Sequence, residues 1–142
     1  MSFCVDLIYD DYPVEYRGRK PTMSKRISLV SDNKFIVEML KLALVLEGYE
    51  VQISPVGAYC LPRLGQLPHL IILDVFLQVE DAQVMCQQLK SLEHTRHIPV
   101  ILLSAHLNRQ QALTEFQADD FISKPFHLHE LLERIQMHMQ MI

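Results

Sequence analysis

The sequence predicts an α/β fold, a doubly wound parallel sheet of five strands with five helices packed on its two faces. Three observations carry this. From Lys25 onward, short apolar runs alternate with amphipathic stretches at the spacing of βα units. The runs at 27–30, 70–73 and 100–103 are apolar at nearly every position, as central strands covered on both faces are. Finally, 142 residues, 49% hydrophobic and 21% charged, suffice for one core of this kind and leave no room for a second.

Residues 1–24 stand apart. They hold Phe3, Tyr9, Tyr12 and Tyr16, follow no sustained period, and contain the turn-prone run Arg17-Gly-Arg-Lys-Pro-Thr. They read as a partly disordered N-terminal extension, or as a short aromatic segment that docks on this domain or on a partner. Residues 25–142 form the domain itself. Ile27–Val30 is its first strand. Lys34–Glu47 is a helix with little polar face, ended by Gly48 at the position past the C-cap. Tyr49–Ile53 alternates as a half-exposed edge strand does. Ala58–Leu64 is a weak helix whose bounds Pro62 blurs. His69–Asp74 is the third strand, and Asp81 is the expected N-cap of a helix running to Leu92. Ile98–Ser104 is the fourth strand, Leu107–Gln117 a helix, Asp120–Ser123 the fifth strand, and His127–Met139 the last helix.

Several function classes find no support. Net charge is −4, and the basic residues cluster only over Arg17–Arg26, so direct nucleic-acid binding is not expected. No run approaches the roughly 18 apolar residues of a membrane span, and the N-terminus carries acids where a signal peptide carries positive charge. A cytoplasmic protein without membrane attachment is expected. Cys4, Cys60 and Cys86 form no CxxC or zinc pattern, which fits reduced thiols. The pairs His94/His97 and His127/His129 have no acidic or cysteine partner at a metal-ligand spacing and read as helix-end residues. Met137, Met139 and Met141 read as a partly packed helix end rather than a copper site. Walker, GxGxxG and Ser-His-Asp patterns do not occur.

In an open parallel sheet, ligands bind beyond the carboxyl ends of the strands. Ser31 and Asp32 follow the first strand, Asp74 ends the third, Ser104 ends the fourth and Lys124 follows the fifth. Two carboxylates with backbone oxygens suit a hard cation such as Mg²⁺. A carboxylate beside such a cation can attack a phosphoryl group and form an acyl phosphate, whose oxygens a lysine and a hydroxyl then hold. Taken singly, each residue also has a plain reading: a strand-end aspartate as a loop cap, Ser104 as a turn residue, Lys124 as a surface lysine. Their joint placement at strand ends, in this order, carries the chemistry.

With these residues in place, the chain from about Lys25 to Met139 resembles the receiver domain of two-component response regulators. The matching motifs are Ser31-Asp32, Asp74 at the end of His-Leu-Ile-Ile-Leu-Asp, Ser104-Ala105, and Ala118-Asp-Asp-Phe-Ile-Ser-Lys-Pro-Phe126. The resemblance implies a flavodoxin-like sheet of order 2-1-3-4-5. It implies that Asp74 accepts phosphate from a sensor histidine kinase or phosphotransfer protein. It further implies that Asp32, Asp74 and the Phe76 carbonyl hold Mg²⁺, with Ser31 acting through a water. Lys124, Ser104 and Ala105 would bind the phosphoryl group, Ser104 and Phe121 would form the switch, and the Lys124–Pro125 bond would be cis.

Three departures stand out. Ser31 replaces the family's first acid, so metal affinity should fall. Gln78 and Ala82 stand where Pro and Gly are common, and Gln117 stands where a Gly is. The chain stops where its fifth helix ends, so the expectation is a stand-alone receiver signalling to an unknown downstream protein. A homodimer through the face of the fourth helix, fifth strand and fifth helix is compatible with this. The alternative is a pseudo-receiver, a phosphorylation-independent binding module. A flavin-binding reading lacks the phosphate-cradling loop after the first strand.

Overall fold

A computed structural model describes residues 5–7, 25–56, 67–76 and 79–140. Its strands are β1 (Val5–Leu7), β2 (Arg26–Val30), β3 (Glu50–Ser54), β4 (Leu70–Val75), β5 (Val100–Ser104) and β6 (Asp120–Ser123). The helices among the described residues are α1 (Lys34–Leu46), α2 (Val79–Ser91), α3 (Arg109–Thr114) and α4 (Leu128–Met139). The expected helix at 58–64 lies outside the described residues. The sheet order is β1-β3-β2-β4-β5-β6. Its five parallel strands therefore run in the expected order 2-1-3-4-5.

Side-chain alternation along the strands sorts residues to two cores. Ile27, Leu29, Leu70, Ile72, Ile101, Leu103 and Ile122 face α1 and α4, meeting Leu40, Leu44, Leu131 and Ile135. Val30, Ile71, Leu73, Val75, Val100 and Leu102 face α2 and α3, meeting Met85, Cys86, Leu89 and Ala112. Every residue of β4 and β5 is buried, which is why those segments read as unbroken apolar runs. Each such Leu, Ile or Val contributes about 1.5–3 kcal/mol on burial. Burial also pushes the Cys86 thiol up to about 12, so it packs as an apolar group.

Local signals explain the boundaries. Asn33 caps α1, its side-chain oxygen accepting from Phe35 N at 2.9 Å and Ile36 N at 3.3 Å. Gly48 (φ 97°) closes that helix, with Gly48 N donating to Val45 O at 2.9 Å and Tyr49 N to Leu44 O at 3.1 Å. Tyr49 is spent in that closure, so β3 begins one residue later than expected.

Other expectations are corrected. The edge-strand reading of Tyr49–Ile53 gives way because β1 adds antiparallel to β3, pairing Val5 with Ile53 and Leu7 with Val51. Asp81 is not the cap of α2. It sits with Glu80 in the first turn, where a carboxylate meets the positive end of the helix dipole. The helix expected over Leu107–Gln117 shortens to α3, because Asn108 and Gln111 form a capping box and Gln117 takes a left-handed conformation, φ 61°.

Candidate functional site

The parallel strands end together, and ladder bonds continue just past their ends. Ser31 N donates to Ser54 O at 3.0 Å, and Lys124 N donates to Ser104 O at 2.9 Å. Ser31, Asp74, Ser104 and Lys124 are thus set by sheet register rather than by loops, and the Lys124–Pro125 bond is cis.

Asp74 is fully buried at the end of β4. Ser31 Oγ donates to its Oδ2 at 2.7 Å, and the Lys124 ammonium forms an ion pair with its Oδ1. Beyond that ion pair, Oδ1 accepts no directed hydrogen bond. A carboxylate offers about four lone-pair positions, so this oxygen retains acceptor capacity. The ammonium also lies 5.8 Å from the centroid of the half-exposed Phe76 ring. Lys124 is therefore held against Asp74 and is not a surface lysine.

Asp32 is exposed, and its Oδ1 accepts from Val56 N at 3.1 Å, tying the loop after β2 to the loop after β3. Ser104 is buried. Its Oγ accepts from His106 N and Leu107 N, both at 3.1 Å, so it serves as a turn residue while standing beside β4. Ala105 is exposed in that turn. It helps line an apolar pocket of about 360 Å³ with Ile36, Met39, Lys124, Pro125 and Phe126. Phe121 is 8% exposed and packs inward with Ala112 and Phe116.

The oxygen donors suit a hard cation. Asp32, Asp74 and the Phe76 carbonyl are the donor types Mg²⁺ takes, whereas the Ser31 hydroxyl is already engaged with Asp74 Oδ2 and Asn33 N. Among the described residues, no three His, Cys, Asp or Glu side chains gather as a metal-binding group. Gln78, one of the departures near this site, lies outside the described residues.

Three features escaped the sequence reading. Asn33 N donates to Ser31 Oγ at 3.0 Å and orients that hydroxyl. Asp120, at the foot of β6, takes a hydrogen bond from its neighbour Phe121 N at 2.8 Å and meets Arg109 at 3.3 Å, Arg134 at 2.5 Å and His138 at 3.0 Å. Burial pushes its carboxyl up, but hydrogen bonds from Arg134, His138 and the Phe121 amide, with the Arg134 charge, outweigh that and hold it below the usual range. Third, α1 exposes Phe35 (88%), Met39 (44%), Leu42 (46%) and Leu46 (43%) on one stripe. Its signal was present, since a helix with little polar face is more apolar than one buried side requires.

Known proteins resemble this chain in sequence and fold. The sequence matches the response regulator receiver domain family over residues 27–136. The DNA-binding dual master transcriptional regulator RpaA of Synechocystis sp. is 35% identical over 114 residues, covering 78% of this chain and 47% of that protein. The signal receiver domain of a signal transduction histidine kinase from Syntrophus aciditrophicus has a TM-score of 0.72 at 30% identity, covering 84% of this chain and 92% of that one. The receiver domain of sensor histidine kinase PA1611 from Pseudomonas aeruginosa was solved with a magnesium ion in its active site cleft. It has the same fold, with a TM-score of 0.62 at 23% identity, covering 83% of this chain and 99% of that one. The chain spans about half, or less, of the length of the curated relatives it matches. Among the described residues, no helix is long and apolar enough to cross a membrane.

Proposed function

The chain belongs to the response regulator receiver domain family of two-component signalling, with a CheY-like fold, and from that premise we propose that it accepts a phosphoryl group on Asp74 and signals by protein contact. One observation carries this reading: Asp74 is fully buried at the end of β4, with Ser31 on Oδ2 and, on Oδ1, the Lys124 ammonium alone. In the transfer, Asp74 Oδ1 forms a bond to phosphorus as the bond to the donor's imidazole nitrogen breaks, and the electron pair leaves with the imidazole. Lys124 passes from Oδ1 to the phosphoryl oxygens, and Ser104 leaves its turn to donate to them. Mg²⁺, when held by Asp32, Asp74 and the Phe76 carbonyl, neutralises charge on those oxygens.

The donor is a sensor histidine kinase or a phosphotransfer protein in the cytoplasm. Its helix docks on the α1 stripe, which begins at Phe35, just past the exposed Asp32, and adjoins the apolar pocket beside Lys124. Output passes through α3, β6 and α4 as Ser104 and Phe121 rearrange. The domain is bistable, and the phosphoryl group biases it.

The test is intact mass after incubation with acetyl phosphate and Mg²⁺, beside an Asp74→Ala control. A Mg²⁺-dependent gain of one phosphoryl group, absent in the control, is expected. A second reading, a phosphorylation-independent binding module, draws on Ser31 in place of an acid. No mass gain, together with no response of Phe121 to beryllofluoride by NMR, would favour it.

A further inference from the structure

We infer that Ser31 is a positioning residue that shortens the life of phosphorylated Asp74, an inference that rests on Asp74 being the phosphoacceptor. The hydroxyl is buried at 4% exposure and held on both sides. Ser31 N is tied to Ser54 O at 3.0 Å, and Ser31 Oγ accepts from Asn33 N at 3.0 Å. With its acceptor side engaged, its proton points to Asp74 Oδ2 at 2.7 Å, the distance of a hydroxyl bonded to a carboxylate. The other oxygen, Oδ1, is ion-paired to Lys124 with no further hydrogen bond, and is the one proposed to take phosphorus.

Once Oδ1 is phosphorylated, Oδ2 becomes the carbonyl oxygen of a mixed anhydride. A neutral carbonyl accepts a weaker hydrogen bond than a carboxylate does. In hydrolysis, a water oxygen bonds to phosphorus and the P–Oδ1 bond breaks. The electron pair passes to Oδ1 and is shared with Oδ2, and the water proton goes to phosphate or solvent. Negative charge therefore grows on the atom that Ser31 faces, and its bond strengthens along the reaction. A contact stronger in the transition state than in the ground state accelerates the step. The same holds when phosphorus returns to an imidazole. Ser31 thus makes the domain a fast-resetting switch or a relay intermediate rather than a long-lived store.

The experiment loads the full chain and its Ser31→Ala and Ser31→Thr variants with acetyl phosphate and Mg²⁺. Acetyl phosphate is then removed with Mg²⁺ kept constant, and loss of the phosphoryl mass is followed. Ser31→Ala should decay about five- to tenfold more slowly, the size expected when one charge-assisted donor is lost. Ser31→Thr, which keeps the hydroxyl, should decay within about twofold of the parent. If the alanine variant does not fold, Ser31→Cys, similar in size and a weaker donor, replaces it with the same direction expected. Equal decay of parent and Ser31→Ala overturns the inference while leaving phosphorylation of Asp74 intact. So does a threonine variant as long-lived as the alanine one. A parent chain that never gains a phosphoryl group overturns both.

Discussion

Asp74 and Asp120 lie in the same sheet and are almost equally buried, at 0% and 2% exposure, yet their surroundings are opposite. Asp120 stands at the foot of β6 among two guanidinium groups, an imidazole and a backbone amide. Asp74 stands at the top of β4 with one hydroxyl and one ammonium. Burial alone therefore does not mark a reactive carboxylate. What separates the two is the number of directed donors, which leaves Asp74 able to form a new bond and Asp120 bound in place.

The largest expected effect tests that contrast directly. Asp120→Asn strips the charge that two arginines and a histidine face. Because Arg109 and Arg134 are partly exposed, the loss should be about 2–3 kcal/mol, below that of a fully buried pair. Asp74→Asn should cost less, about 1–2 kcal/mol, because its amide oxygen still accepts from Ser31 and only one cation, Lys124, loses its partner. Urea denaturation of both variants measures the gap. Equal losses would show that the two aspartates are alike in structural weight, and the contrast would fail.

The aspartate proposed to take phosphate was legible in the sequence and the structural one was not, for a physical reason. Asp74 ends an apolar run of continuous character, so its place at the sheet edge follows from local pattern. Ser104 and Lys124 were placed the same way, through strands whose ends register with β4. The partners of Asp120 come from α3 and α4, and no local period says that Arg109, Arg134 and His138 will meet one carboxylate. The donor on Asp74 was hidden too. Ser31 read as a lost metal contact, whereas its bond to Asp74 depends on a turn fixed by Asn33. Strand β1 was likewise hidden, since its three residues gain meaning only beside β3.

A pH series sharpens the same contrast with a smaller effect. The folded-state value of Asp120 lies below its unfolded value, which is about 3.9 for a free aspartate. The stability it contributes is therefore complete above about pH 5 and is lost as pH falls through the depressed folded value. Parent and Asp120→Asn stabilities should diverge most near neutrality and converge in acid. A gap independent of pH down to about 2.5 would mean that the Asp120 charge is not what holds the cluster.

Unsatisfied capacity has an apolar counterpart on α1, where the stripe from Phe35 to Leu46 faces outward. Met39→Ala and Phe35→Ala should slow phosphotransfer from the cognate kinase by up to about tenfold, as loss of an interface anchor does. Their thermal stability should change by less than about 0.5 kcal/mol, the usual range for exposed positions. Labelling by acetyl phosphate needs no protein docking, so a larger loss with the kinase than with acetyl phosphate separates docking from chemistry. Equal losses with both donors would place these side chains in the site rather than in the interface.

The smallest effect is expected in the turn leading into β6, on the saturated side of the sheet. Gln117 adopts φ 61°, a left-handed conformation that costs a residue with a Cβ about 1 kcal/mol. The turn is held regardless, by Ala118 N on Ala112 O at 3.0 Å and Asp119 N on Val100 O at 2.9 Å. Gln117→Gly relieves the strain, while the added freedom of the unfolded chain returns part of the gain. The net should be about 0.5–1 kcal/mol, a rise of about 2–5 °C in Tm by calorimetry. Because Asp120 and its partners form a closed set of contacts, relief in this turn should not reach Asp74. The decay of its phosphoryl group should match that of the parent. A change in that decay would mean that the two ends of β6 are coupled, and that the saturated aspartate helps to set the reactivity of the other.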